Sequence, residues 1–187
     1  MAKKKLGSSL RRVKLLEASW LRRPEVLLCG NIPQPLHGVN PRSVLGNKWW
    51  DETRKAAYKS TLYHCVACGV AKGDARFRRW LEGHELYEVD YLAGRSYYLE
   101  TVPLCHCCHN YIHSGRLQSL LDKGEISHQK YVAIIQHGDS VLAQAGLSKP
   151  PQYPGPFAPW KKWRLVLFGK KYKPIYENLE AWEKAHE

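Results

Sequence analysis

Three cysteines and three histidines crowd the nine positions from Cys105 to His113, within the stretch LCHCCHNYIHSG. Such a density of thiols and imidazoles is suited to holding metal and has no ordinary use in a core or on a surface. Two cysteine pairs share one spacing, Cys65-x2-Cys68 in YHCVACG and Cys105-x2-Cys108. A C-x2-C knuckle turns two sulfurs toward one ion, and two knuckles complete a closed tetrahedral zinc site with Zn–S distances of about 2.3 Å. Gly69, directly after the first knuckle, suits the tight turn such a site needs. Structural Zn2+ on Cys65, Cys68, Cys105 and Cys108 is the expectation. A two-cysteine, two-histidine finger from Cys65, Cys68, His109 and His113 would need an insertion of about forty residues where roughly 12 is usual. Cys107 in place of Cys108 lacks the knuckle spacing, so Cys107 and His106 read as non-ligands. Cys29, isolated in LLCGN, reads as a buried bystander thiol.

With the thiols assigned, the imidazoles are free for a second role. His109 and His113 are four apart, so on a helix they project from one face. His84 and Glu85, in LEGHELYEVDY, sit on an extended segment that the knuckles must fold back against that helix. One zinc would therefore present His84, Glu85, His109 and His113 together, with room for a second divalent cation. Imidazole ligands suit Mn2+, Ni2+, Co2+ or Zn2+ better than Mg2+, although an added carboxylate makes Mg2+ tolerable, so its identity stays open. Glu85 has three readings. It is a general base whose pKa burial must raise, a ligand to the cation, or a structural carboxylate satisfied by a nearby Arg or Lys.

The elements that must carry these groups are partly legible. NKWWDETRKAAYKS favours a helix, with Trp50 and Ala57 a heptad apart on one face, running into the first knuckle. RFRRWLEGHELYEVDY and GRSYYLETVPL read as extended segments flanking a turn at Gly94-Arg95. A helix is expected through CHNYIHSGRLQSLLDKG, and another over SHQKYVAIIQHGDSVLAQAG with Gly138 as its weak point. Upstream, Pro24, Pro33, Pro35 and Pro41 with Gly30 and Gly38 break the chain into loop. Downstream, SKPPQYPGPFAP reads as a semi-rigid spacer. A hairpin around Gly169-Lys170-Lys171 and a short helix capped by Asn178 follow. The chain thus divides into a basic arm and loop (1–44), a core (45–147), and a spacer with a basic aromatic tail (148–187).

The order C-x2-C-G, then L-E-x-H on a strand, then L-C-x2-C-H-x3-H opening a helix resembles the HNH endonucleases that carry a four-cysteine zinc. Here it is CVACG, LEGHELYEVDY and PLCHCCHNYIHSG, and WWDETRKAAYKSTLYHCVACG resembles the helix leading into phage-encoded members with a His-Glu pair. The match spans about residues 45–118. It implies an α+β fold with a ββα-metal core, flanked here by further helices and the C-terminal hairpin plus helix. It also implies hydrolysis of double-stranded DNA leaving a 5′ phosphate. By resemblance, His84, His109 and His113 hold the catalytic cation. Where the family has its base histidine this chain has Glu85, and where many members have an asparagine, five residues before Cys105, it has Glu100. Catalytic residues on this reading are His84, Glu85 and His109. The departures leave a rival, a catalytically inactive module of the same fold that binds nucleic acid or bridges protein partners.

Charge favours a polyanionic partner. Lys and Arg number 29 against 17 Asp and Glu, a formal net charge of +12, and each phosphate neutralised releases counterions. Lys3, Lys4, Lys5, Arg11, Arg12, Lys14, Arg22 and Arg23 make a basic arm able to lie along a phosphate backbone. Trp49, Trp50, Trp80, Trp160 and Trp163 lie among Arg76, Arg78, Arg79, Lys161, Lys162 and Arg164, either as base-stacking platforms or as core. No stretch approaches the roughly 18 apolar residues a membrane span needs. Six cysteines at close spacings fit thiolate ligands in a reducing compartment, hence a cytoplasmic location, bacterial or in a phage-infected cell by resemblance. A homodimer or a larger nucleoprotein assembly is the expected state, and a dimer would be needed for a concerted double-strand break.

Overall fold

The computed structural model describes residues 21–30, 32–150, 155 and 157–186; the basic arm up to Lys14 lies outside them. Helix α1 (Pro41–Ser60) carries an extra first piece ahead of the expected segment, residues 47–60, the two meeting at a kink. The reason is a reciprocal cap: Asn40 Oδ1 accepts from Ser43 N at 2.9 Å, and Ser43 Oγ accepts from Asn40 N at 3.0 Å, with Pro41 in the first turn. Gly46, at φ 86°, kinks the helix where the expected segment starts. Tyr63, at φ 60°, then turns the chain into the first knuckle.

Strands β1 (Leu81–Asp90) and β2 (Arg95–Cys105) form the expected antiparallel hairpin, with His84 opposite Val102 and Leu81 opposite Cys105. Its turn is built by Asp90 Oδ1, which accepts from Leu92 N at 3.1 Å and Ala93 N at 2.9 Å, and by Gly94 at φ 65°. The ladder shifts register between Leu86 and Tyr87, where Glu100 and Tyr98 are the partners and Leu99 bulges out. Before the bulge, alternation puts Glu82, His84, Leu86, Val102 and Leu104 on one face. Gly83 points the other way, and any Cβ on it would meet the Trp50 ring and Arg54 Cβ at 3.1 Å. The missing side chain is what lets α1 pack closely on the hairpin.

Strand β2 runs directly into helix α2 (His106–Ile112), with Cys105 as its N-cap. The single long helix expected beyond Cys108 is broken: α2 stops at His113 (φ −85°, ψ 46°) and α3 (Ser114–Asp122) restarts there. Ser114 and Gly115 are poor helix formers, which makes this the weakest place for a continuous ladder. Helix α4 (His128–Gln144) is capped by Ser127 Oγ accepting from Lys130 N at 3.2 Å. Gly138 within it is not a weak point but a contact: a side chain there would occupy the Tyr111 ring, whose hydroxyl donates to Asp139 Oδ1 at 2.6 Å. The glycine lets α2 and α4 touch.

The tail joins the sheet. Strand β3 (Arg164–Leu167) pairs in parallel with β2 from Arg95 onward, and β4 (Lys170–Tyr172) returns antiparallel, giving one sheet in the order β1-β2-β3-β4. Trp163, Leu165 and Leu167 are buried against Leu36, Val39 and Ala158. Helix α5 (Leu179–Lys184) starts at Asn178, whose Oδ1 accepts from Ala181 N at 2.8 Å, and Trp182 Nε1 donates to His37 Nδ1 at 3.1 Å. The fold is mixed α+β with two cores. One lies around the cysteines between the hairpin and α2–α4, and the other lies under the tail. Among the described residues no helix is long and apolar enough to cross a membrane.

Candidate metal centre

The first knuckle is a backbone construction. Gly69 N donates to Cys65 O at 2.8 Å with Gly69 at φ 81°, and Cys65 N donates to Val70 O at 2.9 Å. Val66 N donates to Pro103 O at 2.9 Å, tying the knuckle to β2 two residues before Cys105. The sulfurs of Cys65, Cys68, Cys105 and Cys108 consequently lie within 4.8 Å of one another, and Cys68 Sγ is 3.7 Å from Cys105 Sγ. A tetrahedron with arms of about 2.3 Å has edges of about 3.8 Å, whereas a disulfide would require about 2.05 Å. All four thiols are free, and Cys65, Cys105 and Cys108 are buried. Spacing, burial and donor type fit a structural metal ion. Cys107 is also buried but stands outside the cluster, its thiol pushed up to about 11 by burial.

His137 joins this cluster unannounced by any spacing. From α4 its Nε2 lies 3.3 Å from Cys108 Sγ and 3.9 Å from Cys105 Sγ. As an N–H donor it would offset part of the negative charge that four thiolates place on one ion.

The second group is His84 on β1 with His109 and His113 at the two ends of α2's last turn. One ring nitrogen from each falls within the same 4.8 Å span. The ring centroids are 5.5 Å apart for His84–His109, 5.0 Å for His84–His113 and 4.7 Å for His109–His113. His84 is 5% exposed, and its Nδ1 is buried with no hydrogen-bond partner. A buried ring nitrogen without a partner is costly unless something coordinates it. Burial, then the neighbouring imidazoles, lowers His84 to about 3; burial, His109 and Arg116 lower His113 to about 4. Both rings are therefore neutral at ordinary pH and keep a lone pair available for a cation. The donor set fits.

Glu82 orients this group and was missed in the sequence. Its Oε1 lies 2.8 Å from His106 Nδ1 and its Oε2 lies 2.9 Å from His109 Nδ1, the latter contact close but off the ring N–H axis. Burial pushes the Glu82 carboxyl up, and the two histidines more than reverse this, holding it well below the usual carboxylate range. A signal did exist: Glu82 and His84 are two apart on a strand and so share its face. His106, read as a non-ligand, is outside both clusters and serves as Glu82's second anchor, braced by Asn110 Nδ2 donating to His106 O at 2.8 Å.

Glu85 is not gathered with the imidazoles. It lies outside the ligand group and, among the described residues, forms no ion pair with Arg or Lys. It borders a cavity of about 30 Å³ with His84, His113, Cys29, Tyr87 and Ser96. That is space for about one water. Burial raises the Glu85 carboxyl, opposed by its own backbone N–H, His109 and Arg42. Glu100 is spent elsewhere, its Oε1 2.7 Å from Arg23 Nη1 at the surface.

The tryptophans divide. Trp163 is core, Trp160 Nε1 donates to Tyr176 O at 2.8 Å, Trp49 packs edge-on to Tyr98 at 5.9 Å and Trp50 covers Gly83. Trp80 is 49% exposed, with the Arg78 guanidinium over its ring at 5.2 Å. Against this geometry, no family model, curated protein or solved structure matches the chain.

Proposed function

We propose that the chain is a metal-dependent endonuclease of the HNH type that hydrolyses phosphodiester bonds of double-stranded DNA. The observation that carries the reading is the convergence of His84, His109 and His113 nitrogens within 4.8 Å on a hairpin and helix backed by four clustered thiols. A net charge of +12 supports a polyanionic substrate. A divalent cation held by those imidazoles would supply Lewis-acid stabilisation of the phosphate and the leaving 3′ oxygen. Glu85 takes the proton from the attacking water; its burial raises its basicity toward the range a base at neutral pH needs, and the cavity beside it admits one water. Glu82, 2.9 Å from His109 Nδ1, would position that ring.

Plasmid incubated with the full chain and Mn2+ or Mg2+ should be nicked, and chelator should stop it. Glu85→Gln should lower the rate by about 10²-fold or more, and His109→Ala should abolish cutting. Tight binding without cutting under any cation would instead favour the inactive-module reading, which the surface engagement of Glu100 by Arg23 supports.

A further inference from the structure

A cleft of about 210 Å³ shares Glu82 with the imidazole group and is lined by Arg78, Glu82, His106, Asn110, Arg116 and Lys130 among others. A water in bulk takes about 30 Å³, so the space admits a group several waters in size. Three cationic side chains from three elements converge on it: Arg78 from the loop before β1, Arg116 from α3 and Lys130 from α4. Two carboxylates face them, Glu125 and Glu82, and Glu82 is already engaged by His106 at 2.8 Å and His109 at 2.9 Å. Arg78 approaches Glu82 no closer than 4.0 Å, and among the described residues Arg116 and Lys130 form no ion pair.

The rim of this cleft carries exposed rings. Phe77, 42% exposed, is held at φ 68°, a left-handed backbone that a bulky residue seldom adopts. Arg76 and Lys130 flank its ring at 4.8 Å and 5.3 Å, and Trp80 stands beside Arg78. Rings interleaved with cations around a concave polar seat are the components of a backbone-tracking nucleic-acid groove. We propose that the cleft seats a phosphodiester of a DNA strand one wall away from the imidazole site. Arg116 and Lys130 contact its oxygens, and Phe77 and Trp80 are open to base stacking. This rests on the nucleic-acid reading above and gives it a location.

The test is anisotropy of a labelled duplex of about 20 base pairs with the zinc-loaded full chain and no other divalent ion, over salt from about 50 to 200 mM. Arg116→Gln and Lys130→Gln should each lower the slope of log K against log salt by about one and weaken binding several-fold, and the double variant should lower it by about two. Lys184→Gln, on exposed α5, is the control and should leave the slope at the parent value. Circular dichroism melts establish that each variant is folded. Parent-like slope and affinity in the double variant would overturn the cleft, as would absence of duplex binding by the parent. The two proposals separate cleanly. Plasmid cutting with an unchanged slope sinks the cleft alone, and a reduced slope without cutting under any cation sinks the nuclease alone.

Discussion

Two clusters grow from the same nine residues, and they differ in how they face their surroundings. Cys105 and Cys108 turn inward to meet Cys65 and Cys68, where three of the four sulfurs belong to buried residues and backbone bonds fix the knuckle from both sides. His109 and His113, one turn further on, meet His84 beside a water-sized cavity, with two charged side chains near and the buried His84 Nδ1 left without a partner. The thiolate cluster has the closed, four-donor form of a site that stabilises a fold. The imidazole cluster offers three donors beside that water-sized cavity, the arrangement on which the proposed catalytic cation would depend. Helix α2 is the hinge of this division, since each half of it supplies one cluster.

The contrast breaks most sharply at Cys65. Cys65→Ser should remove the cooperative thermal transition altogether, because metal affinity at a closed thiolate site is folding free energy. A variant that melts like the parent would refute the shared ion. His109→Ala, by comparison, should melt close to the parent while losing cutting, and only that pairing keeps the two clusters distinct.

Glu82→Gln sharpens the comparison at an intermediate size. It keeps the volume but weakens the grip on His109, so affinity for the second cation, read by titration with Mn2+, should fall about 10- to 100-fold with the zinc content unchanged. Equal loss of both metals would mean that Glu82 supports the fold as a whole.

The smallest effect is in pH dependence. His84 and His113 are held at about 3 and 4 in the folded protein against an ordinary 6.5. Below pH 6.5 the unfolded chain binds protons that the folded chain does not, so their contribution to stability is complete above that pH and is lost as pH falls toward 4. His84→Gln should therefore make the fall in melting temperature between pH 7 and 4.5 shallower than in the parent. Parallel curves would show that burial does not hold the ring neutral.

The thiolate cluster was readable because knuckle spacing is a local property: two residues between cysteines fix sulfur direction whatever lies elsewhere. His109 and His113 were readable for the same reason, through helical period. Glu82 and His137 were not, since the first acts across a strand face and the second arrives from α4 with no spacing that relates it to a cysteine. Gly138 was misjudged because propensity treats a glycine as a cost to its own helix and cannot register the Tyr111 ring that occupies the space. The continuous helix beyond Cys108 failed similarly, where periodicity carried through Ser114-Gly115 but the hydrogen-bond ladder did not.

Residue types and short-range spacing by themselves determined which atoms are able to bind metal, the sign of the molecular charge, the hairpin and the cap at Asn178. Tertiary structure alone decided that Glu82 braces His109, that Glu85 stands beside the imidazoles instead of among them, and that the tail completes the sheet. Those outcomes depend on pairing between segments distant in the chain. A one-residue change in strand register would turn Glu82 and His84 to the opposite face, and nothing local to either residue encodes which register the assembled core selects.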